Sequence, residues 1–350
     1  MPRTKEPDTI SSQLKKRANT KPTPKAQEYD GSLASVISTG STTLDLAISG
    51  GRIRGGGIPG GILVEIFGLP SSGKTVLLCE IGGAIQRQNG ELLFRDPEAR
   101  LNKQFARMFG IDMDIIDYDT PDTVPQVFDA VRKWKPKTNK VINGILADSL
   151  AALSTDIEMD KEDGDKMGMR RAKEFSQECR KTCNLITKEN YLMVCSNQVR
   201  ENHDAGPFGQ KYKTPGGQAI PFYSSLRLRC FNTQKVKKKM TVAGKDVSRV
   251  TGVETEVEVF KSSVWKPYRS ATITIDYNYG IDDIKANLEY IKAYTGCKTY
   301  ELGGKSLSNS LSHSIQLVEK EELESQLKEE VIDLWETIEC KFNTERKPKR

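Results

Sequence analysis

The sequence predicts an α/β fold: a nucleotide-binding core with a mostly parallel sheet, followed by a smaller C-terminal domain. Three observations carry this. Residues Gly68, Leu69, Pro70, Ser71, Ser72, Gly73, Lys74 and Thr75 complete a G-x-x-x-x-G-K-[ST] phosphate loop between an apolar run at 62–67 and a helix opening at Val76. From residue 37 to about 279 apolar strands alternate with amphipathic helices, the pattern of a sheet covered on both faces. At 350 residues the chain exceeds an ordinary single domain, so a large core with smaller appendages is expected.

In chain order, residues 1–35 are polar and proline-bearing, an arm and linker with one short helical candidate at 11–18. The core is expected over 36–280. Its strands are 62–67, 91–95, 115–118, 144–147, 191–196 and 224–230, and the runs 255–261 and 271–277 alternate as an antiparallel hairpin. Residues 281–342 form the small C-terminal domain, with helices at 284–294 and 319–340; Leu323, Leu327, Val331 and Leu334 keep a helical spacing in the second. Residues 343–350 are a basic tail. Two long segments inside the core, 156–171 and 201–218, have the length and the glycine and proline content of functional loops.

Composition narrows the function. Charged residues make up 29% of the chain and mean hydropathy is −0.53. No apolar stretch reaches the roughly 18 residues of a membrane span, so a cytoplasmic protein without a membrane partner is expected. Seven cysteines without a C-x-x-C pair fit reduced thiols, and two histidines, His203 and His313, leave no inventory for a histidine-based triad or metal centre. The net charge of +6 concentrates in the first 25 residues, at 235–239 and in the tail, all candidate contacts for a polyanion.

The chemistry starts at the phosphate loop. Its backbone N–H groups are expected on phosphate oxygens, Lys74 on the β/γ-phosphates and the Thr75 hydroxyl on Mg²⁺. Hydrolysis needs further acids. The apolar strand 144–147 ends in Asp148, suited to the metal, and Glu98 follows strand 91–95, within reach of a water in line with the γ-phosphate. Gln198, past the end of strand 191–196, is an uncharged amide suited to sensing that phosphate.

Chained in order, Val36-Ile37-Ser38-Thr39-Gly40-Ser41 with Leu44-Asp45, the phosphate loop, Asp96-Pro97-Glu98, Ala147-Asp148-Ser149-Leu150-Ala151-Ala152-Leu153, Asn197-Gln198-Val199-Arg200 and Gly216-Gly217-Gln218 resemble the bacterial RecA recombinase family over about residues 35–340. The resemblance implies a RecA-like P-loop ATPase core with a small α/β C-terminal domain. It implies a DNA-dependent ATPase, using ATP and Mg²⁺, that forms helical homo-oligomeric filaments on single-stranded DNA and pairs it with homologous duplex. Glu98 would be the general base, acting with Lys74 and Gln198; Thr75 and Asp148 would hold the metal. Phe105 and Asn102 would face the adenine, and Lys261 would reach ATP from the next subunit. DNA would meet Met167, Gly168, Arg170 and Arg171 in the first loop. In and around the second it would meet Arg200, Phe208, Lys211, Lys213, Thr214, Gly216, Gly217 and Gln218.

The chain also departs from that family. Ser263 stands where a second lysine is expected, with Lys266 nearest, and Asn102 stands where aspartate is usual. The second loop opens on the polar Glu201-Asn202-His203-Asp204, and the C-terminus is basic rather than acidic. Two other functions remain compatible with the residues: a ring-forming helicase or motor ATPase of the same fold, and a non-catalytic recombination mediator.

Overall fold

A computed structural model describes residues 35–155, 167–201, 212–215, 217–343 and 346. Its centre is a nine-stranded sheet. The strands are β3 (Ile62–Gly68), β4 (Leu92–Arg95), β5 (Asp117–Asp119), β6 (Asn143–Ala147), β7 (Tyr191–Gln198), β10 (Leu226–Val242), β11 (Lys245–Ser262), β12 (Ser270–Asp276) and β13 (Gly280–Ile281). Their order is β13-β12-β11-β10-β3-β7-β6-β4-β5. From β10 to β5 every pairing is parallel, while β10 to β13 form an antiparallel meander on the other side. Short pairs β1 (Val36–Ile37) with β2 (Ile58–Pro59), and β8 (Arg200–Glu201) with β9 (Tyr212–Lys213), lie outside it.

Strand alternation builds two cores from one sheet, because successive side chains leave opposite faces. Val64, Ile66, Leu92, Phe94, Leu192 and Val194 meet helix α2 (Lys74–Arg87) through Leu77, Leu78, Ile81 and Ile85. Leu63, Leu93, Ile145, Met193 and Cys195 face the other way. There they meet Val127, Phe128 and Val131 of α4 (Val124–Lys133), and Phe175, Cys179 and Ile186 of α5 (Met167–Lys188). The remaining core helices are α1 (Thr42–Ser49), α3 (Lys103–Met108) and α6 (Ala219–Tyr223).

A third cluster joins α7 (Asp283–Thr295), α8 (Leu311–Lys320) and α9 (Glu324–Lys341) through Leu288, Ile291, Val318, Leu327, Val331, Leu334 and Trp335. Leu46 of α1 enters it, and Thr42 at the start of α1 donates to Asp283 through its N–H (2.7 Å) and its hydroxyl (2.6 Å). Arg54 adds ion pairs to Glu329, Asp333 and Glu336 on α9.

Three elements differ from the expectation. The strand placed at 115–118 pairs as β5 at Asp117–Asp119, with Ile115 exposed, because the register is set by β4 rather than by apolar content. The expected helix 319–340 is two helices, broken where Glu322 turns to φ 54. The C-terminal zone also holds a hairpin, β14 (Tyr300–Leu302) with β15 (Lys305–Ser308), whose positive-φ turn Gly303-Gly304 is its signal in the sequence.

Candidate functional site

The phosphate loop links the C-terminal end of β3 to the N-terminus of α2, where orphan N–H groups and the helix dipole favour an anion. Two glycines are required by space. A Cβ on Gly68 would stand 2.4 Å from the Cys230 carbonyl oxygen; one on Gly73, held at φ 84, would stand 2.4 Å from Ile275 Cδ1. Leu69, Pro70 and Ser71 are exposed, whereas Ser72 is buried and Lys74 and Thr75 are half-buried. Lys74 Nζ donates to the carbonyls of Leu69 (2.8 Å) and Gly68 (3.2 Å). Burial lowers its pKa, with the Cys230 thiol and the carboxylates of Asp148 and Glu98 acting the other way.

Asp148 follows the end of β6 and is the hub of the site. Its carboxylate accepts from Thr75 Oγ1 at 2.6 Å and from the Ser196 hydroxyl on β7. Burial raises its pKa, the two hydroxyls oppose the rise, and Asp96 and Glu98 add to it. A buried carboxylate beside a threonine hydroxyl is a pair of hard oxygen donors, the kind that holds Mg²⁺ together with phosphate oxygens; among the described residues no cluster of three acids forms a metal cage of its own. Glu98 sits on the turn after β4, largely buried, accepting from Ser149 Oγ at 3.0 Å and pairing with the exposed Arg100 at 2.7 Å. Glu98, Asp148, Lys74 and Thr75 therefore share one site.

Gln198 is brought to the same place by register: in the parallel β3–β7 ladder it lies directly beside Gly68. The residue before it, Asn197, is fully buried and donates through Nδ2 to Glu65 Oε1 (2.9 Å) and to the Pro215 carbonyl (3.2 Å). Glu65 Oε2 in turn accepts from Arg227 Nε at 2.6 Å, and the Arg227 guanidinium lies over the Phe67 ring, 4.4 Å from its centroid. One buried network thus ties the strand of the phosphate loop, the strand ending in Gln198 and the returning end of the second loop. Outside it a cleft of about 520 Å³ is lined by Gly68, Leu69, Thr214, Gly217, Gln218 and Arg227 among others.

Other expected site residues lie apart or are otherwise engaged. Asn102 caps α3, its side chain accepting from the Phe105 N–H at 2.7 Å, and Phe105 is half-buried edge-on against Phe109. Lys261, on β11, donates to the carbonyls of Pro221 (2.8 Å) and Phe222 (3.0 Å). Met167 and Gly168 open α5, followed by the exposed Arg170 and half-buried Arg171. Arg200 pairs with Lys213 in β8–β9. Phe208, Lys211 and Gly216 lie outside the described residues.

Sequence reasoning missed Ser196, Ser149, Glu65 and Arg227. Glu65 carried a signal: a lone charge inside a strand buried on both faces needs a buried partner. Ser149 and Ser196 carried none. The cysteines among the described residues are free thiols; Cys79, Cys179, Cys195 and Cys230 are buried, and burial pushes their pKa up.

Compared with known proteins, residues 15–282 match the model of the RecA N-terminal domain. A Protein RecA from Borrelia hermsii (strain HS1 / DAH) is 31% identical over 306 residues, covering 85% of this chain and 82% of the relative. A Protein RecA from Acholeplasma laidlawii is 31% identical over 303 residues, covering 84% and 86%. The domain match over most of the chain, the near-full-length relatives and the phosphate loop with Asp148 and Glu98 agree: this chain belongs to the RecA family of recombination proteins, which bind ATP and DNA.

Proposed function

We propose that this protein is an ATP-dependent recombinase whose subunits polymerise into a helical filament on single-stranded DNA and pair that strand with homologous duplex. One observation carries the reading. Gln198 lies beside Gly68, while the two residues before it, Ser196 and Asn197, hold Asp148 and Glu65. A change at the phosphates therefore acts on the strand from which the 201–218 loop leaves.

In this reading Lys74 and the loop N–H groups bind the ATP phosphates, and Thr75 and Asp148 hold Mg²⁺, which when bound supplies positive charge against the phosphate oxygens. Glu98 accepts a proton from the attacking water. The water oxygen bonds to the γ-phosphorus as that atom's bond to the β–γ bridging oxygen breaks, releasing ADP and phosphate. Lys261 reaches the ATP of a neighbouring subunit, for which it must leave the Pro221 and Phe222 carbonyls. Phe105 and Asn102 border the base. Met167, Gly168, Arg170 and Arg171 meet DNA with Arg200, Phe208, Lys211, Lys213, Thr214, Gly216, Gly217 and Gln218. The working units are an arm (1–35), the ATPase core (36–280), a C-terminal domain (281–342) and a basic tail, acting in the cytoplasm.

The test is joint-molecule formation from single-stranded and homologous duplex DNA with ATP and Mg²⁺. Pairing that requires both nucleotide and homology is expected; folded protein that hydrolyses ATP but pairs no strands overturns the proposal.

A further inference from the structure

Beyond the sheet, the outer halves of β10 and β11 pair, among the described residues, only with each other. β3 covers β10 only at Leu226–Cys230, and β12 covers β11 only from Gly252 to Glu258. The segments 237–242 and 245–250 therefore project as a two-stranded ribbon roughly 20 Å long. It is closed by Ala243-Gly244, both at positive φ (49 and 76), the two-residue turn that matches strand twist. Residues 235–250 carry Lys235, Lys237, Lys238, Lys239, Lys245 and Arg249 against one acid, Asp246, a local charge of +5 in a chain whose net charge is +6. Mixed charges would suffice to guard bare strand edges from pairing with other chains; six cations of one sign exceed that need.

Register assigns the faces. Lys238, Met240 and Val242 stand opposite Arg249, Val247 and Lys245. One face of the ribbon is thus an apolar centre of Met240, Val242 and Val247 rimmed by Lys238, Arg249 and Lys245. Met240 is 58% and Val242 57% exposed, unusual for apolar side chains with a core available to them. A duplex groove has the complementary pattern: two phosphate rims around a floor of base edges and methyl groups. The major groove also has the width of a two-stranded ribbon.

We propose that this ribbon is a duplex-DNA arm, distinct in sequence from the nucleotide-site residues and the two loops: Lys238, Lys245 and Arg249 meet phosphates on both sides of a groove and Met240 and Val242 press on the base pairs. The proposal rests on the reading of the chain as a protein that takes duplex DNA, and supplies a contact by which the duplex is held before pairing.

The test is binding of the full chain to a fluorescent duplex of non-homologous sequence over a salt series. Lys238→Glu/Lys245→Glu/Arg249→Glu, the three cations of the rim, is compared with the corresponding triple to Gln and with Met240→Ser/Val242→Ser. Charge reversal is expected to weaken duplex binding about tenfold or more, and to reduce the slope of log affinity against log salt by about 2–3. The triple to Gln is expected to show the same slope change with a smaller loss. The tip variant is expected to keep the slope and lose affinity. Stimulation of ATP hydrolysis by single-stranded DNA should persist in all three, which separates failure of the arm from failure of the recombinase reading. Duplex affinity and slope unchanged in both triples overturn the proposal. The same result with loss of binding to poly-glutamate reassigns the ribbon to an acidic protein partner.

Discussion

Asp148 shows what a single side chain does here: it receives the hydroxyl of the phosphate-loop threonine on one oxygen and that of β7 on the other. Asp148→Asn keeps the shape and removes the charge, so ATP hydrolysis should require about 10–100-fold more Mg²⁺; a magnesium titration of turnover checks this. Asp45 is a second informative carboxylate. It is buried under donors from Ser38 Oγ (2.5 Å), Thr39 N (2.7 Å) and Thr39 Oγ1 (2.7 Å), and burial nevertheless raises its pKa to about 6. An acid raised on folding binds its proton more tightly in the native state. Its contribution is present below the unfolded pKa near 4 and is lost as pH rises to about 6. Denaturant melts between pH 4 and 7 should therefore show a downward stability contribution in the native protein that makes its slope steeper than that of Asp45→Asn. Acids such as Asp148 and Glu98 were legible because a carboxylate at the end of an apolar strand is conspicuous. Ser149 and Ser196 were not, since a small hydroxyl near a strand end has no pattern of its own.

At the scale of elements, three adjacent parallel strands are fastened by the Glu65, Asn197 and Arg227 side chains, all largely buried. Breaking a buried ion pair from one side strands the other charge. Arg227→Met is expected to cost about 3–5 kcal/mol in a denaturant melt, and adding Glu65→Leu should restore most of the loss. An equal loss in the single and the double variant would show that the arginine acts by packing on Phe67 rather than by pairing. The inner halves of β10 and β11 were legible from alternation, with candidates at 224–230 and 255–261. Their outer halves were hidden because Lys235–Lys239 and its partner strand bury no face, leaving no apolar period to detect. β5 shows the converse: its register follows hydrogen bonding to β4, so the apolar residue that suggested it, Ile115, lies outside the strand and exposed.

At the scale of the molecule, one sheet serves two tasks through its topology. Its parallel part brings the ends of β3, β6 and β7 to one edge, where Gly68, Asp148 and Gln198 gather, and β10, parallel to β3 and level with Gly68 at Cys230, runs on past that same edge into the basic ribbon. The third core cluster is bound to α1 through Leu46 and the Thr42–Asp283 contacts. This arrangement was legible in outline because alternating strands and helices around a phosphate loop admit few topologies. The side-chain network joining the nucleotide site to the second loop was not legible, since it depends on register across three strands. Gln198, beside Gly68 and at the start of the second loop, is where the nucleotide and DNA sites meet, and the decisive measurement is the ratio of ATP turnover with single-stranded DNA to turnover without it, in the native protein and in Gln198→Ala. A large ratio is expected in the native protein and a ratio near one in the variant, with both melting alike. A variant that melts normally and keeps the native ratio would contradict that expectation.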